Sequence, residues 1–237
     1  MRKERFCPIC RQSADTFNPY GVAQTPDAQC PNCGSMERYR LLFLYLFNET
    51  DLFKKPNTLI EIGPRKEFSQ LLRSYPNIKY VGSDLSVNFD HPRSNLEADM
   101  NFMPFSANLA DFVIAYHVLE HLPKPQSGLL EIKRILKPGG IAFLQVSIDI
   151  NRSSTYEDPN LTTDEDRIRI YGQKDHLRIF GNDFDKFISD AGFSVNRVKY
   201  VEKFSPKTRT LLGLKDTFPL QTYTTCEDIF IAVKPIN

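Results

Sequence analysis

The chain has 237 residues, of which 41% are hydrophobic and 25% are charged, and its formal net charge is +1. These are ordinary values for a globular protein, so a disordered or fibrous class is not indicated. The near-neutral charge gives no global attraction to nucleic acid or to anionic membranes. The longest apolar run, residues 41–47, is far shorter than the ~20 residues that a membrane helix needs. We expect a protein without a membrane span and, since the first residues show no secretory signal, a cytoplasmic one.

Four of the five cysteines form two Cys-x-x-Cys pairs: Cys7 with Cys10, and Cys30 with Cys33. Nineteen residues separate the pairs, which is within the range of four-thiolate zinc sites, whereas a redox site is disfavoured because neither pair lies in a βαβ context. Four protein ligands fill the coordination sphere of zinc. The sequence therefore predicts a structural Zn²⁺ ion in a small zinc ribbon or knuckle module over residues 1–36, with buried free cysteines as the alternative.

The turn of each cysteine pair needs a residue after the second cysteine that brings both sulfur atoms to one side. Gly34 can adopt the positive φ that such a turn favours. Arg11 stands at the equivalent position of the first pair, so we expect its turn to be built differently. A helix is predicted over about 36–48, with Ser35 as its N-cap, inside a connecting segment 37–56 that joins the zinc module to the main domain.

Short apolar runs alternate with helical patterns after residue 56, and each of the first three runs ends in or near an acidic residue: Glu61, Asp84 and Asp99. Such alternation predicts a doubly wound α/β sheet whose ligands bind at the carboxyl ends of the strands. Asp84 follows Gly63 by about 20 residues, the interval at which nucleotide-binding units place a carboxylate on a ribose. The sequence therefore predicts a nucleotide-type crevice.

Taken together, these residues resemble the class I S-adenosylmethionine-dependent methyltransferases that carry an N-terminal four-cysteine zinc module. The resemblance is carried by the segments CPNCGSMER at 30–38, YHVLEHL at 116–122, KPGG at 137–140 and GQKDHLR at 172–178. It implies a Rossmann-like domain over residues 57–237, with seven mostly parallel strands, helices on both faces and an insertion at about 149–180. In that fold the last strand, 227–234, would run antiparallel beside the strand at 193–203.

The resemblance also implies the cofactor, S-adenosyl-L-methionine, and the residues that bind it. The implied residues are Glu61, Gly63, Asp84, Leu85, Asp99, Met100, Tyr116 and His117. The first pair would flank the methionine portion, and Asp84 would bind the ribose hydroxyls, with Leu85 beside it. Asp99 and Met100 would lie at the adenine, and the last pair would border the cofactor after the fourth strand. One departure concerns the first loop, where Pro64 and Arg65 follow Gly63 in place of the family's further glycines.

A hydroxyl that accepts a methyl group must lose a proton, and a base with a pKa near neutral helps. His176, in the insertion, is the first candidate for a base or a substrate contact. His121, with Glu120, is the second. The alternatives are that His176 is an ordinary surface or hydrogen-bonding residue, and that Glu120 and His121 cap a helix and brace the cofactor loop.

We therefore expect an enzyme that methylates a hydroxyl of a small molecule or a saccharide-type acceptor, covered by residues 149–180 and 204–225. A first alternative makes RNA the acceptor and the zinc module its clamp, although the near-neutral charge counts against it. A second alternative is a zinc-scaffolded binding protein without methyl transfer, which the altered loop after Gly63 would permit.

Overall fold

A computed structural model of the protein describes residues 4–21, 24–85, 95–215, 217–219 and 223–236. In these ranges the β-strands are β1 (Arg5–Phe6), β2 (Ser13–Ala14), β3 (Asn18–Tyr20), β4 (Thr25–Gln29), β5 (Asn57–Ile62), β6 (Ile78–Asp84), β7 (Leu96–Glu97), β8 (Ala110–Tyr116), β9 (Leu136–Gln145), β10 (Ser194–Val198), β11 (Thr217–Pro219), β12 (Thr224–Cys226) and β13 (Ile229–Val233). The α-helices are α1 (Glu37–Glu49), α2 (Lys66–Arg73), α3 (Pro125–Ile135), α4 (Asp164–Tyr171), α5 (Phe184–Asp190) and α6 (Pro206–Leu212). None of these described helices is long and apolar enough to cross a bilayer.

Seven strands form the central sheet, in the order β10-β13-β9-β8-β5-β6-β7. The strands from β5 to β9 pair in parallel, and β13 pairs antiparallel with both β9 and β10. This confirms the predicted Rossmann-like sheet and its inserted antiparallel strand. Because the chain leaves β5 toward β6 on one side and returns to β8 on the other, the switch point of the sheet lies between β5 and β8.

The central strands are apolar on both faces because helices cover both sides of the sheet. Leu59 of β5 and Ile114 of β8 belong to a buried cluster with α1 and α2. Their neighbours Ile60 and Val113 belong to a second buried cluster with α3 and α5. Successive strand residues point to opposite faces, so the continuous apolar runs of the sequence feed two cores at once.

The first cluster is continuous from the cysteine-rich segment to the sheet. It contains Cys7 and Phe17 near the N-terminus, Leu42 and Leu46 of α1, and Phe143 of β9. Helix α1 therefore packs between the cysteine-rich segment and the sheet, as expected for a connecting helix. The division of the chain at residues 36 and 56 stays a prediction.

Helix α1 begins without the predicted cap. Met36 occupies the N-cap position, and no side chain accepts a hydrogen bond there. The prediction of Ser35 as N-cap is therefore wrong. The Ser35 hydroxyl lies 3.2 Å from the sulfur atoms of Cys7 and Cys33, so the cysteine cluster uses this side chain instead.

The insertion folds back onto the sheet and contains helix α4. The Thr163 hydroxyl caps this helix by accepting from the Asp166 amide at 3.1 Å, and Gly172 ends it with a φ of +86°. Tyr171 then packs with Ile179 and Tyr223 in a small separate cluster. This packing returns the segment after α4 to the carboxyl end of the sheet.

Candidate active site

A cavity of about 1110 Å³ lies at the carboxyl ends of β5, β6 and β8. Of the eight predicted cofactor residues, seven line it: Gly63, Asp84, Leu85, Asp99, Met100, Tyr116 and His117. Of the three predicted catalytic residues, only His121 does. The cavity thus lies where the switch point of the sheet predicts a ligand. The roles of the individual residues stay predictions.

The loop after β5 needs its single glycine. Gly63 has a φ of +66°, and a Cβ atom there would lie 2.9 Å from Val118 Cγ2. A side chain at this position would therefore meet both backbone strain and a clash. Glu61 lies beneath the loop, with Oε2 accepting from the Tyr80 hydroxyl at 2.6 Å, and burial raises the pKa of Glu61 to about 7. Its carboxyl group supports the loop from below.

Two carboxylates follow neighbouring strands of the sheet. Asp84 Oδ1 accepts from the Leu85 amide at 2.8 Å, and the Leu85 side chain beyond it is exposed. Asp99 Oδ1 accepts from the backbone amide of Asn101 at 2.8 Å and from its side-chain amide at 3.0 Å. Met100, buried, forms the floor between Asp99 and the body of the domain. These contacts fix both carboxylates at the cavity wall.

Glu120 supports the loop after β8 from inside the protein. It is fully buried, and Oε1 lies 3.0 Å from His117 Nδ1 and accepts from the Ser147 amide at 3.0 Å. Burial opposes ionisation, but the hydrogen bond from His117 holds the pKa of Glu120 well below its usual range. Burial and the nearby Arg38 lower the pKa of His117, whose φ is +56°. This geometry matches the bracing alternative for Glu120.

His121 and His176 lie side by side, one in the cavity wall and one behind it. Their ring centroids are 4.8 Å apart, at an angle of 79°. His121 Nδ1 lies 3.2 Å from the carbonyl oxygen of Asp175, which also lines the cavity. His176 is fully buried, and its Nδ1 lies 3.1 Å from the Tyr171 carbonyl oxygen. His176 is therefore not a surface residue, but its contact with the Tyr171 carbonyl oxygen fits the alternative of a hydrogen-bonding residue, and its role as a base or substrate contact stays a prediction.

Another part of the cavity lining is polar and comes from both ends of the chain. Glu37 and Arg38 of α1 line it, with Glu227 from the loop between β12 and β13. Glu37 Oε2 and the hydroxyl oxygen of Tyr116 are buried and have no hydrogen-bond partner in the described part of the chain. We name Glu37, Tyr116 and Glu227 the polar end of the cavity. Sequence reasoning missed Glu37 and Glu227; the only signal was the segment CPNCGSMER, which contains Glu37.

The four cysteines meet in one cluster. Their sulfur atoms all lie within 4.8 Å of one another, and the Cys7–Cys33 and Cys10–Cys30 separations are 3.7 and 3.8 Å. Sulfur atoms bound to one tetrahedral zinc ion at about 2.3 Å stand about 3.8 Å apart, so the cluster fits the predicted ion.

The turns of the two cysteine pairs have the same backbone conformation. Arg11 and Gly34 have φ values of +58° and +84°, and each amide donates to the carbonyl oxygen of the first cysteine of its pair. The expectation of a different turn at Arg11 is therefore wrong. Both pairs bring their sulfur atoms to one cluster through the same turn, and Arg11 adopts it although only glycine does so without strain.

Comparisons with known proteins agree with this geometry. Residues 61–144 match the family described as Methyltransferase domain. An uncharacterized methyltransferase of Mycobacterium marinum is 25% identical over 100 residues, which cover 38% of this chain and 39% of that relative. The matched segment thus spans well under half of the relative.

Solved structures of low identity share the fold. The YcgJ protein of Bacillus subtilis is 14% identical with a TM-score of 0.51, over 82% of this chain and 97% of that one. Haemonchus contortus phosphoethanolamine N-methyltransferase 2 was solved with phosphomonomethylethanolamine and S-adenosylhomocysteine. It is 17% identical with a TM-score of 0.54, over 82% of this chain and 52% of that one. The [4+2]-cyclase SpnF is 15% identical with a TM-score of 0.53, over 93% of this chain and 88% of that one. These structures, all below 25% identity, show the shared fold, and the match of residues 61–144 to the Methyltransferase domain family is the finding that points to methyl transfer.

Proposed function

We propose that this methyltransferase transfers the methyl group of S-adenosyl-L-methionine to a hydroxyl of a small molecule or a saccharide-type acceptor. One observation carries the proposal: a single cavity joins the strand-end loops, with Asp84 and Asp99, to the polar end with Glu37 and Glu227. The first part suits a nucleoside with ribose hydroxyls, which are hydrogen-bond donors. The second part offers buried oxygen atoms to an acceptor that carries several hydroxyl groups.

Methyl transfer requires the protein mainly to align the methyl donor with the acceptor. The acceptor oxygen attacks the methyl carbon, the carbon–sulfur bond breaks with its electron pair left on sulfur, and an oxygen–carbon bond forms. The hydroxyl proton must leave during or after this step. The histidine face of the cavity, His117 and His121 with His176 behind it, is the place where we propose that the hydroxyl is activated.

We also propose that the cysteine cluster holds a structural Zn²⁺ ion. The support is the fit of the sulfur separations to a tetrahedral ion and the absence of an open ligand position when four thiolates bind. Such an ion would anchor the N-terminal segment, from which Tyr20, Thr25 and Ala28 contribute to the cavity wall. The zinc ion would thereby help to shape the acceptor site without taking part in the reaction.

The test begins with the methyl donor. We expect isothermal titration calorimetry to show one S-adenosyl-L-methionine bound per chain, and Asp84→Asn to weaken binding by about 1–3 kcal/mol because charge-assisted hydrogen bonds are lost. Asp190→Asn, a change of an exposed carboxylate on α5, is the matched control and should bind like wild type. Unchanged affinity in Asp84→Asn would show that the ribose lies elsewhere.

The acceptor is tested separately, by following S-adenosylhomocysteine formation with saccharides, polyols and RNA as candidate acceptors. We expect turnover with a hydroxyl-rich small molecule, and Glu37→Gln should raise its KM without changing the affinity for the methyl donor. Turnover confined to RNA, with a steep loss on added salt, would favour the RNA alternative. Donor binding without any turnover would favour the non-catalytic alternative.

A further inference from the structure

We propose that His121, Asp175 and His176 bind a divalent transition-metal ion at the edge of the cavity. Their ligand atoms lie within 4.8 Å of one another. Ligands placed about 2.1 Å from one ion stand about 3 Å apart when adjacent and about 4.2 Å apart when opposite. The three side chains therefore need only small movements to share an ion.

His176 has the hydrogen bonding of a metal ligand. Its Nδ1 lies 3.1 Å from the Tyr171 carbonyl oxygen, which can only accept, so Nδ1 carries the proton and Nε2 keeps its lone pair. Burial lowers the pKa of His176, which favours this neutral form. Nε2 is buried and has no partner among the described residues. A buried lone pair without a partner is costly, and a ring fixed by a carbonyl on its other nitrogen is the usual arrangement around bound metals.

His121 and Asp175 are the other two proposed ligands, and they lie on the cavity side. His121 Nδ1 lies 3.2 Å from the Asp175 carbonyl oxygen and 3.3 Å from Asp175 Oδ2, so it donates to Asp175 in the metal-free protein, and binding an ion would exchange this hydrogen bond for a bond to the metal. Both residues line the cavity. His176 closes the group from the protein interior. An ion held between the three would be anchored on its buried side and open toward the cavity, where an acceptor oxygen can reach it.

The ligand types decide which ions fit. Two imidazoles and one carboxylate suit Mn²⁺, Fe²⁺ or Zn²⁺, whereas Mg²⁺ and Ca²⁺ prefer oxygen ligands alone. A bound ion would hold an acceptor hydroxyl and lower its pKa, in which case the histidines act as metal ligands rather than as bases. This role rests on the proposed function, but metal binding itself does not.

The test uses full-length protein that is loaded with zinc at the cysteine cluster and contains neither methyl donor nor acceptor. It is titrated with Mn²⁺, and free Mn²⁺ is measured by electron paramagnetic resonance. We expect one Mn²⁺ bound per chain, and at least a tenfold loss of affinity in His176→Gln and in Asp175→Asn. Asp164→Asn, which changes an exposed carboxylate of the same segment, should bind Mn²⁺ like wild type.

Two results would overturn the proposal: no Mn²⁺ bound by the wild type, or wild-type affinity in both ligand variants. If His176→Gln fails to fold, Mn²⁺ binding by Asp175→Asn alone tests the proposal, because the Asp175 side chain is 60% exposed and its change leaves the core intact. Mn²⁺ binding by a protein without methyl transfer would contradict only the proposed function. Conversely, full turnover in the presence of a chelator that removes bound Mn²⁺ would contradict only the role of the ion.

Discussion

Glu227 is a carboxyl group that faces the cavity although only 4% of the residue is exposed. Its Oε2 accepts from Gln145 Nε2 at 2.8 Å. Burial, and then the negative charge of Glu37, raise the pKa of Glu227 to about 8, while Arg38 opposes the rise. Asp228, the next residue, adds to it. At neutral pH this side chain therefore holds a proton and can donate a hydrogen bond to an acceptor.

The pKa of Glu227 predicts how stability depends on pH. The folded state keeps a proton that the unfolded chain, with its ordinary pKa of 4.5, releases, so stability falls as pH rises from about 4.5 to about 8. Urea unfolding at several pH values should show that Glu227→Gln reduces this fall by up to about 1.4 kcal/mol per pH unit. Glu202→Gln, at an exposed site, is the control. An unchanged slope in Glu227→Gln would show that Glu227 is ionised in the folded protein.

The residues at the strand ends could be predicted, and the polar end of the cavity could not. Asp84 and Asp99 follow apolar runs, and the topology of a parallel sheet brings such positions to one edge. Glu37 and Glu227 lie near opposite ends of the chain and meet only through tertiary packing. No local pattern distinguishes them from other glutamates of a charged sequence.

Helix α1 carries a buried arginine that hydrogen-bonds to three other parts of the chain. Arg40 is fully buried, and its guanidinium donates to the carbonyl oxygens of Ala28, Ser35, Leu212 and Gly213 at 2.6 to 3.1 Å. It therefore joins α1 to β4 and to the end of α6. Arg40 is thus one of the side chains that hold the C-terminal part of the chain to the cysteine-rich segment, together with Lys215, which donates to the Pro26 carbonyl oxygen.

We expect Arg40→Met to destabilise the protein by about 3 kcal/mol or more, because buried carbonyl groups lose their donors while the side-chain volume stays similar. Urea unfolding followed by circular dichroism measures the change. Arg169→Met, on the exposed side of α4, should change stability by less than about 0.5 kcal/mol. Equal effects of the two changes would show that the Arg40 hydrogen bonds contribute little.

The elements whose residues repeat with a clear period were predictable, and the short ones were not. The central strands and α3 follow from apolar runs and helical spacing. Helix α6, β11 and the start of β12 lie in residues 204–225, where no sequence pattern predicts an element. These elements are too short to show a periodic pattern of apolar residues. The end of α6 is hydrogen-bonded by Arg40, which lies far away in the sequence.

At the scale of the whole molecule, the sheet order was accessible from the sequence because alternating strands and helices allow few arrangements. The shape of the cavity was not, since the cysteine-rich segment, the insertion and the loop before β13 each supply part of its wall. The metal-binding geometry proposed for His121 and His176 also depends on this assembly. The two histidines lie in different segments, and only the folded chain brings their rings together.

The hydrophobic cluster that runs from Cys7 through α1 to Phe143 has a consequence for how the protein unfolds. Two bodies that share one core cannot melt independently, so we expect a single cooperative transition. Zinc release and the loss of far-ultraviolet circular dichroism should occur at the same urea concentration. Release of zinc at a clearly lower concentration would mean that the N-terminal segment is an autonomous folding unit. A shared transition would make the first 36 residues part of one cooperative unit with the sheet, rather than a detachable appendage.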